Sequence, residues 1–135
     1  MPRFNNAKDL ERHLKKALDS LQAEVLVTTQ AKLGSTQVSP YDTGRFRSSW
    51  FASEGMASSD VAPEGADSPN TDATGLRIDG SKQYHITNSL PYAQSVAIEG
   101  RVVSQPRTWF TSFRNETIPR IQQAAAKVVK AQFDL

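Results

Sequence analysis

The chain has 135 residues, no cysteine and a formal net charge of +2. This length predicts a single domain, residues 1–135, that can bury an apolar core without cross-links. The lack of cysteine excludes disulfides, thiolate metal ligands and a cysteine nucleophile. No stretch has the length of a membrane span or the pattern of a signal peptide, so we expect a soluble protein that contacts no membrane.

The charges are unevenly distributed along the chain. Residues 1–34 carry six basic and four acidic side chains, and residues 101–135 carry six basic and two acidic. Residues 40–100 reverse the balance, with four basic against eight acidic. Basic ends and an acidic middle favour head-to-tail contacts between copies, although ordinary solvated faces give the same pattern.

The first element is a long amphipathic helix. Its apolar face consists of Ala7, Leu10, Leu14, Ala17, Leu21 and Val25, at intervals of three and four. Asn6 is a suitable N-cap and Gly34 a plausible stop. The β-branched stretch 25–29 is compatible with a strand, but the periodic context favours helix.

Two strands and a second long helix follow. We expect strands at 48–53 and 83–88, and a C-terminal amphipathic helix from about Phe110. Pro119 should kink or divide that helix, and Thr117 is then a candidate cap for its second half. The predicted fold is α+β: long N- and C-terminal helices packed on a small antiparallel sheet.

Residues 54–80, which we call the polar excursion, join the two strands. They are rich in Ser, Asp, Gly, Ala and Pro and nearly free of large apolar residues. Such a composition buries too little surface to offset its ordering entropy. We therefore expect a long loop or arm that is ordered mainly where a neighbouring subunit holds it.

Motifs of catalysis are absent from the sequence. It contains no HExxH pair, no GxSxG elbow and no phosphate-binding glycine loop. His13 and His85 lack a carboxylate at a recognised spacing, so a hydrolase built on His85 with Asp79 or Asp42 is a minor alternative. We expect no enzymatic activity and no cofactor.

Acidic residues of the polar excursion raise the possibility of a calcium site. The candidate ligands are Asp60, Glu64, Asp67, Asn70 and Asp72. Their spacing matches no EF-hand loop, and a disordered acidic loop explains them more simply than a metal site does. We expect no metal.

Two stretches resemble a known family. Residues 39–50 (SPYDTGRFRSSW) are similar to the SPVDTGRFRxSW signature of neck and tail-completion proteins of tailed bacteriophages, the minor tail protein Z type. Residues 86–93 (ITNSLPYA) resemble the ITNxLPYA segment of that family, and Glu99-Gly100 falls near its Glu-x-Gly. Order, spacing and flanking helices agree across nearly the whole chain.

The resemblance implies a virion protein that is assembled in the host cytoplasm and joins head to tail. It would form a ring, most simply a hexamer, around the channel for genomic DNA. Its partners would be copies of itself and other neck proteins: an adaptor or stopper, the tail tube or a terminator. An adaptor or stopper ring nearer the portal is the closest alternative.

The resemblance also implies roles for individual residues. Residues expected to maintain the fold are Asp42, Thr43, Gly44, Trp50, Asn88, Pro91 and Tyr92. Residues expected at subunit contacts are Arg45, Arg47, Trp109, Asp60, Glu64 and Asp67.

DNA binding through the basic C-terminal part is a third possibility. The residues concerned are Arg101, Arg107, Arg114, Arg120, Lys127 and Lys130. No dense basic cluster with interleaved aromatics supports this alternative.

Overall fold

The computed structural model describes residues 3–35, 44–93, 96 and 109–134. The elements in chain order are α1 (Ala7–Leu33), the short helix α2 (Arg45–Ser48), strand β1 (Trp50–Glu54), a 3-10 turn (Asp72–Gly75), strand β2 (Tyr84–Asn88), α3 (Trp109–Ser112), a π-helical stretch (Phe113–Thr117) and α4 (Ile118–Phe133). The α+β architecture predicted from the sequence is confirmed.

Helix α1 spans 27 residues and is about 40 Å long. The Asn6 side chain accepts a 2.9 Å hydrogen bond from the Asp9 amide, which confirms the predicted N-cap. The helix continues to Leu33, so the β-branched stretch 25–29 is helical. Its buried positions beyond Val25 face the rest of the molecule, and this packing outweighs the modest helix propensity of β-branched residues.

Helices α1 and α4 run antiparallel. The ring N–H of His13 donates to the Phe133 carbonyl at 2.7 Å, which places the end of α4 beside the beginning of α1. At the other end, Leu33 and Ile121 belong to the same buried cluster. The two long helices therefore pack along most of their length.

Strands β1 and β2 form a two-stranded antiparallel sheet. Trp50 pairs with Asn88 and Glu54 with Tyr84. The first strand begins at Trp50, two residues later than predicted, because residues 45–48 form a helical turn instead. Hydroxyls of Ser48 and Ser49 close that turn by donating to the carbonyls of Gly44 and Arg45, at 2.8 and 2.7 Å.

The C-terminal helical segment changes its hydrogen-bond pattern just before Pro119. The π-helical stretch ends at Thr117, and α4 begins at Ile118 with proline in its first turn. Proline lacks an amide donor and crowds the preceding turn, which accounts for the change at this place. The proposed capping role of Thr117 is wrong, because its backbone is helical and its side chain makes no capping bond.

The polar excursion departs from the expected arm. Ala62 and Ala73 are buried in the chain's own body. Gly80 packs so closely on α1 that a Cβ there would lie 2.9 Å from the Leu18 Cβ. Composition indicated too little apolar surface for ordering, but polar side chains of the body anchor the segment instead.

The main core lies between the sheet and the helices. Its buried members are Leu33, Phe46, Trp50, Leu90, Trp109, Phe113 and Ile121. A smaller cluster of Leu26, Ala52 and Ala73 lies under the polar excursion. Within the described residues, no helix is long and apolar enough to cross a membrane.

Candidate functional site

Both motif stretches contribute to one cluster of rings, which we call the aromatic junction. The Phe46 ring lies edge-on to Trp50 and Trp109, with centroid distances of 5.5 and 6.0 Å. Trp50 stacks on Phe110 at 6.2 Å with an interplanar angle of 7°. Aromatic pairs of this geometry stabilise a fold by more than the burial of their apolar area alone. The junction therefore joins α2, β1 and α3 into one unit.

Asn88 and the residues after it complete the junction. The Asn88 side-chain amide donates to the Phe46 carbonyl at 2.8 Å, and its oxygen accepts from the Leu90 amide at 3.3 Å. Leu90 is buried, whereas Pro91 is exposed at the turn. Tyr92 lies at the edge of the junction, 6.5 Å from the Phe46 centroid and 40% exposed.

Gly44 begins α2 with a positive φ of 83°. A Cβ at this position would lie 3.0 Å from the Asp67 Cα and still closer to the Asp67 carboxylate. Glycine is therefore required here both by conformation and by the approach of the polar excursion. Asp42 and Thr43, which are expected to maintain the fold, lie outside the described residues.

The structure gives the arginines of the first motif partners within the chain. Arg45 donates through Nε to the Ala62 carbonyl at 2.8 Å. Arg47 donates to the Gly34 carbonyl at 3.2 Å and bonds both the carbonyl and the carboxylate of Asp67. Its side chain is only 13% exposed. These arginines fasten the polar excursion to the body, and their contact with a neighbouring subunit stays a prediction.

Trp109 and the acidic residues predicted at subunit contacts fall into different environments. Trp109 is 6% exposed and donates through Nε1 to the Val96 carbonyl at 3.0 Å, so it acts in the core. Asp67 is paired with Arg47. Asp60 and Glu64 are exposed, and they remain available to a partner.

Gln30 is a central residue that sequence analysis missed. Its side chain is 1% exposed and donates to the Trp50 carbonyl at 3.0 Å and to the Asp72 carboxylate. Its oxygen accepts from the Ala73 amide at 3.0 Å, and Asp72 accepts from the Ala52 amide at 3.1 Å. The side chains of Gln30 and Asp72 thus bond the backbone groups on the outer edge of β1, where a third strand would otherwise pair.

No sequence signal marks Gln30. It lies off the apolar face of α1, in a position where glutamine is ordinarily solvated. Only the approach of the 3-10 turn and β1 surrounds its amide with partners. Predicting the hydrogen-bond partners of Gln30 therefore requires knowledge of the fold.

The candidate metal ligands do not converge. Asp72 bonds Gln30 and the Ala52 amide, Asp67 pairs with Arg47, and Asn70 accepts from the Asp72 amide at 3.0 Å. Across the described ranges, no three His, Asp or Glu side chains lie close enough together to hold an ion.

His85 and Asp79, the candidate hydrolytic pair, each bond to other partners. The His85 ring faces the Gly55 carbonyl at 3.3 Å. Asp79 instead accepts from the Ser81 hydroxyl at 2.7 Å and the Ser81 amide at 3.0 Å, and pairs with Lys15 at 3.2 Å. The other candidate partner, Asp42, lies outside the described residues.

Asp79 belongs to a polar network that joins the polar excursion to α1. Asp19 accepts from the Gly80 amide at 2.7 Å and pairs with Lys15 at 3.1 Å. The Ser81 hydrogen bonds, with help from Lys15, hold the pKa of Asp79 well below its usual range. The Gly80 amide, and then Lys15, lowers the pKa of Asp19. Both carboxylates therefore stabilise the fold in their ionised forms.

A cavity of about 420 Å³ opens between α1, the sheet and the C-terminal helical segment, and we call it the helix groove. Its walls are mainly apolar, with polar side chains Gln22, Thr29, Arg114 and Gln122. The remaining lining residues are Val25, Leu26, Leu33, Trp50, Tyr84, Ile86, Phe110, Phe113 and Ile118.

The basic residues of the C-terminal part are dispersed. Arg114 lines the helix groove, whereas Arg120 lines a separate depression on the other side of the helix pair. Lys127 and Lys130 are exposed on α4. Arg101 and Arg107 lie outside the described residues.

No family model, curated protein or solved structure matches the chain.

Proposed function

We propose that the protein is a structural component of a phage neck, which joins head to tail as a ring around the DNA channel. The observation that carries the proposal is the aromatic junction. The two stretches that resemble the neck-protein motifs, 39–50 and 86–93, are 35 residues apart in sequence, yet the Asn88 amide bonds the Phe46 carbonyl directly.

That contact supports the resemblance because it gives the two motifs a shared role. Phe46 and Trp50 from the first stretch and Leu90 from the second are buried in the same core cluster. The core cluster needs residues from both stretches, which is a physical reason for the two patterns to occur in one chain. The motifs then mark a fold and its mode of assembly.

The distribution of charge supports self-assembly. Residues 54–76 carry five acidic and no basic side chains, whereas residues 109–133 carry four basic and one acidic. Opposite charges on separate parts of one subunit suit a head-to-tail contact, and such contacts close into rings when the rotation permits. A body fastened by buried hydrogen bonds would present these surfaces rigidly.

The proposal is tested first by imaging the purified full-length chain by negative-stain electron microscopy, with its mass measured by light scattering. We expect closed rings whose central hole admits duplex DNA. The symmetry of the ring separates a hexameric tail-completion ring from a portal-side adaptor or stopper of different symmetry.

A second measurement is needed in case the subunit assembles only when its partners are present. Antibody labelling of intact virions, viewed by electron microscopy, should place the protein at the head–tail junction. Labelling elsewhere on the particle would overturn the proposal. The absence of any label on complete virions would overturn it too.

A further inference from the structure

We propose that the helix groove receives the β1 turn of a second copy of this chain, with Met56 as the inserted side chain. This inference rests on the proposed ring and adds to it the two surfaces that meet. The turn at Glu54–Met56, which follows directly from β1, is called the Met56 tip.

The acceptor surface extends beyond the cavity itself. Leu14 and Leu18 precede Gln22 on α1 at intervals of four, so they continue one wall of the helix groove. Their exposures are 44 and 55%, which is high for leucines on a helix that packs against another. From Leu14 to Val25 the wall is about 17 Å long. Among the described residues, this apolar strip stays largely exposed, although Gly80 packs against the Leu18 backbone.

The donor surface is a firmly built turn with an exposed apolar side chain. Gly55 has a φ of 79° and donates to the Gln83 carbonyl at 2.9 Å. The Ser53 hydroxyl donates to the Met56 carbonyl at 2.6 Å. Met56 itself is 81% exposed, the highest value for a large apolar side chain in the described part of the chain.

Methionine at this position suits insertion. Its unbranched, polarizable side chain adapts to irregular apolar cavities and to aromatic walls such as Phe110 and Phe113 of the helix groove. Because Met56 is so exposed, it does not occupy the groove of its own subunit. The fixed backbone of the tip reduces the entropy lost on docking.

The charges around the two surfaces are complementary. Arg114 lies in the helix groove. Lys130 comes eight residues after the lining residue Gln122, on the same side of α4. The Met56 tip is followed by Asp60 and Glu64, which are exposed. An acidic segment beside an apolar side chain matches an apolar groove whose one charged lining residue, among those described, is Arg114, and this complementarity selects a second copy as the occupant.

The contact is heterologous, because the tip and the groove are different surfaces of each subunit. Every copy then offers one free tip and one free groove, so the contact repeats and can close into a ring. A symmetric contact between two grooves would instead stop at a dimer.

The test uses three full-length variants and analytical ultracentrifugation up to ~1 mM protein, where a contact with a Kd of that order is half occupied. Met56→Ser alters the tip, and the double variant Leu14→Gln/Leu18→Gln alters the groove. Val128→Gln is the control, because Val128 has the same exposure as Leu14, 44%, but lines the depression on the other side of the helix pair. Circular dichroism verifies that each variant is folded.

We expect the wild-type chain and Val128→Gln to associate alike. Met56→Ser and the groove variant should each associate about tenfold more weakly, the loss expected for one buried apolar side chain. A one-to-one mixture of these two should form heterodimers and nothing larger, since each retains the half that the other lacks. If the groove variant does not fold, the Met56→Ser result decides alone, because that side chain makes almost no contact in the monomer.

Three results would overturn the inference: a wild-type chain that stays monomeric at ~1 mM, association that Met56→Ser leaves unchanged, or a mixture that forms no heterodimer. Rings that assemble equally well from Met56→Ser would remove this docking contact and leave the proposed neck function in place. Absence from the head–tail junction of virions would remove the function even if the contact formed.

Discussion

The side-chain amide of Asn88 donates a 2.8 Å hydrogen bond to the backbone carbonyl of Phe46, 42 residues earlier in the chain. This bond joins the end of β2 to the short helix α2 and sets the position of the rings around Phe46. The bond is partly buried, so its loss would leave the Phe46 carbonyl without a hydrogen-bond donor that could readily replace Asn88.

Asn88→Ala should lower the free energy of unfolding by roughly 1–2 kcal/mol, because it removes two side-chain hydrogen bonds at the aromatic junction. The measurement is urea unfolding followed by tryptophan fluorescence, since Trp50 and Trp109 both lie in the junction. Gln83→Ala, at an exposed position just before β2, is the control and should change stability by less than about 0.5 kcal/mol. Equal effects of the two substitutions would show that the Asn88 bond has no special weight.

Gln30→Ala should be more damaging. It leaves the Trp50 carbonyl and the Ala73 amide without their buried partner, and we expect a loss of about 2–4 kcal/mol. The exposed Gln123→Ala on α4 is the matched control. Hydrogen exchange should show faster exchange of the Ala73 amide, and limited proteolysis should show earlier cleavage within 54–80. An unchanged cleavage pattern would contradict the proposed anchoring role.

Gly44→Ala should destabilise by roughly 1–3 kcal/mol, because a positive φ disfavours a side chain and the added Cβ meets Asp67. Gly75→Ala provides the comparison, since a Cβ there has no neighbour within 4 Å and its φ is not in the left-handed region. Thermal unfolding of both variants measures the difference. Comparable melting temperatures for the two would argue against the close approach of Asp67 to α2.

The network of Lys15, Asp19 and Asp79 predicts a specific acid dependence. The pKa of each carboxyl is lowered in the folded chain, so its contribution is fully present above the ordinary aspartate value of about 4 and is lost as the pH falls below it. Urea midpoints measured from pH 7 downward should therefore fall most steeply below about pH 4.

Asp19→Asn tests the assignment of this acid dependence. It should flatten the acid limb of the stability profile, because the variant side chain no longer titrates, and it should lower stability near neutrality. The conservative Asp134→Asn, at the exposed end of α4, should retain the wild-type profile. An Asp19→Asn profile parallel to that of the wild type would mean that other carboxyls dominate.

Local patterns in the sequence were sufficient for the elements and their order. The apolar periodicity of α1, the Asn6 cap and the alternation near Ile86 depend on neighbouring residues alone, and each predicted element exists. Where a boundary differed, as at Trp50, a short-range alternative was involved: serine hydroxyls stabilise one more helical turn.

Only the tertiary structure decided how the polar excursion is held and which surfaces remain open. Gln30, Arg45 and Arg47 find their partners across 13 to 43 residues of sequence, and hydrogen bonds at that separation leave no periodic signal. The same holds for the exposed Leu10 and Leu14, which belong to the predicted apolar face of α1 but are 41 and 44% exposed. Sequence periodicity determines which face of a helix is apolar, whereas the packing of the other elements determines how much of that face stays accessible.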